Sequence, residues 1–465
     1  MNNNYYLLRN DTITAISSPL GIGAISIIRI SGKKSLEIIK KIFYTKKKKI
    51  YVLKINYGII KYKNNIIDQV ILLYFKSPNS YTGEDLIEIN CHGSIYIQNK
   101  IIDLIIKNGA RLAINGEFTY RAYINKKINL LQAESVLDII NSNNKLEHNL
   151  AINNLINNKL YHILNKIEKK IVNILSYIEI NLDFFEIKLN IKSIKNNIIL
   201  IENKIKKLIK SFKINNIIKK GIDISIIGPV NSGKSTLMNR IINKNKAIVS
   251  NIPGTTRDIV EGHITIKNLN FNFYDTAGIR KTKSKIEKIG IKKTYDNIKY
   301  TNIIFFVFDY KLLNKNKKIY KIIKTKKIIK NKNILFIANK IDKYNINIYK
   351  KKKYFKIGNN KYKILFISAK KKIGLDKIVE YLKNILPNNI ELNNFFINNI
   401  RHYNELKIIN RYIKKVKKDN SNKIALELIS IDLRKALQHL YKITGKYFTN
   451  DNILNNIFKN FCIGK

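Results

Sequence analysis

The sequence predicts a small α+β domain followed by an all-α helical domain, into which an α/β domain with a phosphate-binding loop is inserted. Three observations predict this architecture. Gly228-Pro229-Val230-Asn231-Ser232-Gly233-Lys234-Ser235 fits G-x-x-x-x-G-K-[ST], between the apolar run 222–227 and a helix-forming stretch, the strand–loop–helix context this motif requires. Residues 117 to 220 contain neither glycine nor proline, and residues 375 to 444 contain no glycine, which favours long helices on both sides of the loop. The first 120 residues, by contrast, are punctuated by glycines.

In chain order, residues 1–120 read as the α+β domain. Ile25-Ser26-Ile27-Ile28-Arg29-Ile30 and Asp85-Leu86-Ile87-Glu88-Ile89-Asn90 read as strands, with turns at Gly21, Gly23, Gly32, Gly58 and Gly83 and a helix at 101–106. In residues 121–216, Leu160, Leu164, Ile167, Ile171, Ile174 and Ile178 recur at spacings of four and three, and Ile194, Ile198, Ile201, Ile205 and Leu208 do the same. Each set is the apolar stripe of an amphipathic helix. Residues 217–385 form the α/β domain. In residues 386–465, Leu406, Ile409, Ile413 and Val416 form a third stripe. A single helical domain made from both flanks is the economical arrangement, since the ends of a compact domain often lie close together. Two separate bundles are the alternative. No internal repeat is visible.

Four further motifs complete a guanine-nucleotide site. Asp275-Thr276-Ala277-Gly278 follows an alternating strand and places a carboxylate near a metal and a glycine near the γ-phosphate. Asn339-Lys340-Ile341-Asp342 follows the apolar run 334–338. A carboxylate at Asp342 can accept from both the N1–H and the 2-amino group of guanine, a pattern adenine lacks. Ser368-Ala369-Lys370 suits a backbone contact to the base carbonyl, and Thr255-Thr256, between Gly254 and Arg257, supplies a second hydroxyl for Mg²⁺ beside Ser235. Lys234 reaches the β/γ-phosphates, and Gly233, Ser232 and Thr236 complete the loop and helix start. The five motifs together read as a GTPase domain.

The chain has 465 residues, 87 lysines and arginines against 32 acids, and a formal charge of +55. Such a field attracts nucleic acid. Lysine, asparagine and isoleucine are also abundant outside any plausible site and tryptophan is absent, so compositional drift is the main reading of the charge. The lysine runs at 46–49 and 350–353 read as solvated faces. Two cysteines, Cys91 and Cys462, are too few for a disulfide framework. No signal-peptide pattern opens the sequence and no apolar run approaches membrane-spanning length, so a cytoplasmic location without membrane association is expected.

Other segments give the chain a close resemblance to the MnmE (TrmE) family of tRNA modification GTPases. Gly21-Ile22-Gly23-Ala24-Ile25-Ser26-Ile27-Ile28-Arg29-Ile30-Ser31-Gly32 resembles that family's opening strand motif. Tyr81-Thr82-Gly83-Glu84-Asp85-Leu86-Ile87-Glu88 with Cys91-His92-Gly93, and Gly109-Ala110-Arg111-Leu112-Ala113 with Gly116-Glu117-Phe118-Thr119-Tyr120-Arg121-Ala122, resemble the next two signatures. Cys462-Ile463-Gly464-Lys465 resembles its C-terminal tail. The resemblance implies a front domain that forms a homodimer and binds 5-formyl- or 5,10-methylene-tetrahydrofolate through Arg29, Glu88, Lys127 and Lys465. From local sequence alone, Arg29 and Glu88 would be surface charges at strand ends. Asn125-Lys126-Lys127-Ile128-Asn129 departs from the family pattern, with lysine for glycine and asparagine for aspartate.

Ile279 follows the Asp-Thr-Ala-Gly motif where Ras-like GTPases carry a water-orienting glutamine. The resemblance assigns that role to Glu287, which local sequence would read as a solvated loop acid. It also implies a potassium ion held by Asn231, Ser250, Ile252 and Thr255, with Asn251, Pro253 and Gly254 completing the nucleotide-facing loop. Ser250 replaces a usual threonine, and Pro229 sits one place earlier than usual. Cys462 has two readings, a nucleophilic thiol near the folate and a packed core residue, with a positioning role near the folate as the compromise. The implied function is addition of an aminomethyl or carboxymethylaminomethyl group at C5 of the wobble uridine (position 34) of certain tRNAs. An FAD/NADH-dependent partner would complete a heterotetramer. An RNA-binding ribosome-assembly GTPase without modification chemistry is the alternative.

Overall fold

The computed structural model describes residues 11–46, 49–183, 191–229, 231–244, 262–266, 269–275, 301–313, 333–344, 354–357, 360–385, 397, 399–421, 426–446, 457–458, 461–462 and 464. The chain divides into two compact units. One comprises Met1–Asn141, Leu150–Ile209 and Asn399–Lys465; the other comprises Ser142–Asn149 and Lys210–Asn398. The first unit therefore takes in residues from both before and after the nucleotide motifs.

The first unit opens with seven strands: β1 (Ile13–Ile16), β2 (Gly23–Ser31), β3 (Phe43–Tyr44), β4 (Ile55–Tyr62), β5 (Asn65–Phe75), β6 (Leu86–Gly93) and β7 (Arg111–Leu112). They form one sheet in the order β3-β4-β5-β6-β2-β1-β7. Two helices, α1 (Ser35–Ile42) and α2 (Ile95–Lys107), cover one face. Alternate strand residues Ile28, Ile30, Ile60, Val70, Leu72, Ile87 and Ile89 pack there with Ile38, Ile39, Ile101 and Ile105 of the helices. The period of two puts Arg29 and Glu88 on the opposite face, as register partners. Gly21, Gly32 and Gly83 take positive φ outside the strands, as their expected turns require. Gly23 and Gly58 differ from expectation, because Gly23 begins β2 and Gly58 lies inside β4. A Cβ on Gly58 would stand 2.4 Å from the Tyr44 carbonyl oxygen, so close approach of β3, not a turn, accounts for this glycine.

The glycine-free stretch folds into α3 (Glu117–Ile124), α4 (Leu130–Ile140), α5 (Lys145–Asn157), α6 (Lys159–Asp183) and α7 (Ile191–Lys220). Asn129 caps α4 reciprocally with Gln132 in a capping box. All three apolar stripes read from the sequence are buried.

The second unit carries β8 (Ile222–Ile227), α8 (Lys234–Lys244), β9 (Gly262–Ile266), β10 (Leu269–Asp275), β11 (Ile303–Asp309), β12 (Asn333–Asn339), β13 (Tyr354–Ile357), β14 (Asn360–Phe366) and α9 (Leu375–Ile385). Its sheet order is β13-β14-β12-β11-β8-β10-β9. The strands β10, β8, β11, β12 and β14 run parallel, with antiparallel edges at β9 and β13. Phe271, Phe273, Phe305, Phe308 and Phe336 are fully buried, as expected for central strands of a parallel sheet. The chain then returns to the first unit through α10 (Ile400–Ser421) and α11 (Leu426–Thr444). Among the described residues no helix is long and apolar enough to cross a membrane.

Candidate functional site

Strand β8 lies between β10 and β11, so the loop that leaves it opens at the point where strand order reverses, the usual ligand crevice of such sheets. Gly228 (φ +154°) passes so close to β11 that a Cβ would stand 1.8 Å from the Val307 carbonyl oxygen. At Gly233 (φ +88°) a Cβ would meet Asn339 Nδ2 at 2.3 Å. Only glycine satisfies both positions, and α8 then starts at Lys234 with its free amides facing the loop. Lys234 is buried, and its ammonium donates to the carbonyls of Gly228 (3.3 Å) and Pro229 (2.9 Å). Ser235 and Thr236 are exposed in the first helical turn, and Asn231 (φ +58°) is exposed in the loop. A hard hydroxyl oxygen at Ser235 beside a phosphate loop fits Mg²⁺ chemistry.

Residues of the Asn339–Asp342 and Ser368–Lys370 motifs brace this loop. Asn339, buried at the end of β12, donates through Nδ2 to the Ser232 carbonyl (2.8 Å) and accepts at Oδ1 from the Ala369 amide (3.0 Å). One side chain thus ties three motifs together. Lys340 donates to the Asn231 carbonyl (2.6 Å) and pairs with Asp309 at 3.1 Å. Sequence reasoning missed Asp309, though an acid ending a buried apolar strand was a usable signal. Ser368 Oγ donates to Asp342 Oδ1 at 2.6 Å and accepts from the Lys371 amide at 3.1 Å. The Ser368 hydroxyl, outweighing the effect of burial, holds the Asp342 carboxyl below the usual range. Lys370 is exposed beside this contact. Asp275 ends β10 at the same edge of the sheet. Ser250, Asn251, Ile252, Pro253, Gly254, Thr255, Thr256, Thr276, Ala277, Gly278 and Glu287 lie outside the described residues.

A second arrangement forms on the open face of the first sheet. Arg29 Nε donates to Glu88 Oε1 at 2.7 Å, and the guanidinium lies 5.7 Å from the centre of the Tyr81 ring. The pair sits two residues inside an end of each strand and is largely shielded, which corrects the reading of two surface charges. Gly464 packs beside it. Its carbonyl accepts from Ser17 Oγ (3.0 Å) and Arg29 Nη1 (3.4 Å). Its φ of +93° and the 2.2 Å between a hypothetical Cβ and the Ile16 carbonyl oxygen leave no room for a side chain. Lys127 lies against the 78–83 loop and donates to the Pro78 carbonyl at 3.0 Å. Asn125 braces the same loop through the Thr82 carbonyl at 2.7 Å. Cys462 is exposed, while Phe458 and Phe461 fill the core beside it. The packed-core reading of Cys462 is therefore wrong, and the aromatics that precede it, Phe458 and Phe461, do that packing. Lys465 lies outside the described residues. Arg111, Glu117 and Arg121 of the third signature, with Asp11 and Glu84, form an ion network that pins α3 to the sheet.

Comparison with known proteins covers nearly the whole chain. A family profile described as "GTP-binding protein TrmE N-terminus" matches residues 12–127, and "MnmE helical domain" matches residues 130–462. A relative named tRNA modification GTPase MnmE in Malacoplasma penetrans is 42% identical over 98% of this chain and 100% of its own length. Those of that name in Fervidobacterium nodosum and Flavobacterium psychrophilum are 41% and 39% identical, over 98% and 99% of this chain and 98% and 100% of theirs. With matches at both ends and a phosphate loop held by guanine-type motifs between them, the chain belongs to the MnmE (TrmE) family of tRNA modification GTPases.

Proposed function

We propose that the chain hydrolyses GTP to drive modification at C5 of the wobble uridine of certain tRNAs, within a complex that uses a tetrahydrofolate one-carbon unit. The observation that carries the nucleotide half is the brace of Asn339 between Ser232 and Ala369, with Asp342 held by Ser368 at the base-facing edge. Asp342 would accept from guanine. Lys234 and the first amides of α8 would stabilise charge developing on the β/γ-phosphates. Ser235 and Thr256 would hold Mg²⁺. Asn231, Ser250, Ile252 and Thr255 would hold K⁺, which supplies positive charge where other GTPases use an arginine. Glu287 would orient the attacking water.

On the first sheet, Arg29 and Glu88 would bind the folate, with Lys127 and Lys465 on its carboxylates. Gly464 supports this reading, because it carries the chain on from Cys462 and places its carbonyl against Arg29. A homodimer and an FAD/NADH-dependent partner complete the proposed assembly.

The test is GTP hydrolysis in potassium against sodium buffer, with Glu287→Ala beside the parent chain. Removal of a water-orienting group should lower kcat by at least about 100-fold, and potassium stimulation should disappear with it. Equal slow rates in both salts would sink the potassium-assisted mechanism.

A further inference from the structure

The β4–β5 hairpin and helix α2 build a cationic, aromatic patch that the nucleotide and folate readings leave unused. Tyr62 ends β4 with 37% of its surface exposed. Three ammonium groups surround its ring: Lys63 at 5.8 Å, Lys100 at 5.9 Å and Lys107 at 5.5 Å from the centroid. They come from two elements. Lys63 is in the hairpin turn with φ +53°, while Lys100 and Lys107 are seven residues apart on α2 and so share a helix face. Tyr96, 70% exposed, lies one turn before Lys100 on that face. Asp103, also exposed, is an acid of the same stripe, so the local excess remains positive. From residue 38 to residue 67 the sequence has nine lysines and no acid.

Three like charges around one ring repel one another, and each contact to an exposed aromatic face offers only about 0.5–1 kcal/mol in return. A polyanion would relieve that repulsion. Exposed rings set among cations suit RNA in particular, since ammonium groups neutralise phosphates while a ring stacks on an unpaired base. We propose that Tyr62, Lys63, Lys100 and Lys107, extended by Tyr96, form a docking surface for an unpaired segment of tRNA. The proposal rests on the tRNA-modifying reading above and gives that substrate a place on the chain.

The test is equilibrium binding of tRNA by the full-length chain across a range of salt. Lys63→Gln/Lys100→Gln/Lys107→Gln should weaken binding by about 30-fold and flatten the log K against log salt slope by about 2 to 3. Tyr62→Leu should weaken it about tenfold with the slope unchanged. GTP hydrolysis should be unchanged in both. A control with the same charge removed elsewhere, Lys195→Gln/Lys207→Gln/Lys414→Gln, should change affinity less than about threefold. If the control loses as much as the patch variant, the attraction belongs to the overall charge and the proposal is overturned. It is overturned too if the patch variant keeps its tRNA affinity but loses binding to anionic phospholipid vesicles. A parent chain that does not bind tRNA overturns the tRNA reading itself. Strong parent binding that the patch variant retains overturns only the docking surface.

Discussion

Asp342 shows how a single hydroxyl sets the chemistry of a carboxylate. With Ser368 Oγ donating at 2.6 Å, the carboxyl is kept ionised and aimed, so it acts as an acceptor only. Asp342→Asn replaces one acceptor by a donor. GTP affinity should then fall by at least about 100-fold, because a site built for hydrogen bonds strongly rejects the wrong pattern. Xanthosine triphosphate, which carries a 2-keto oxygen in place of the amino group, should bind the variant better than it binds the parent chain; fluorescent-nucleotide titration reads both. Asp342, Asn339 and Ser368 were legible in the sequence because each follows an apolar strand within a short motif. Asp309 ends an apolar strand too, but no motif surrounds it and its partner Lys340 follows the next strand, so its role was missed. The Arg29–Glu88 pair was equally hidden, because register between β2 and β6 is a long-range property.

At the scale of elements, the join between the two helical flanks rests on a buried ionic cluster. Glu134 of α4 accepts from Asn399 Nδ2 (3.0 Å) and Arg401 Nη2 (2.8 Å), and His402 Nε2 lies 2.7 Å from its other oxygen. Arg401 also donates to the Lys442 carbonyl of α11. Burial pushes the Glu134 carboxyl up, but His402 and Arg401 outweigh it and hold it at about 2. The ordinary value is 4.5, so the folded pKa is depressed. The cluster therefore contributes its full stability above that ordinary value and loses it as pH falls through about 2. Glu134→Gln leaves the Arg401 guanidinium without its counter-charge and should cost about 3 kcal/mol in urea unfolding at neutral pH. The difference from the parent chain should shrink as the solution is acidified. Helical stripes announced α6, α7 and α10 in the sequence, because burial at every third or fourth residue is a local pattern. Glu134, Arg401 and His402 gave no such signal, since a charge buried by a partner some 267 positions away looks like any surface charge.

On the scale of the whole molecule, the division into two compact units can be set beside the glycine distribution. Most of the glycine-free residues before 210, and those after 398, fall in one compact unit, while the phosphate loop, with residues 142–149, 210–220 and 375–398, falls in the other. Strand order within each sheet was not legible, because period and turn signals say where strands are but not which of them pair. Gly58 illustrates the limit: a glycine required by a neighbouring backbone looks the same in sequence as one required by a turn. Long-range closure has a further consequence for synthesis. Ser17 receives its partner carbonyl from Gly464, 447 positions later. At ordinary translation speeds that interval lasts roughly 20–90 s. The first sheet must therefore wait on the ribosome with Arg29 uncovered on its open face, while the rest of the chain is made. A prematurely released polypeptide, however well its front sheet had folded, would leave Ser17 and Arg29 without the acceptor that Gly464 supplies.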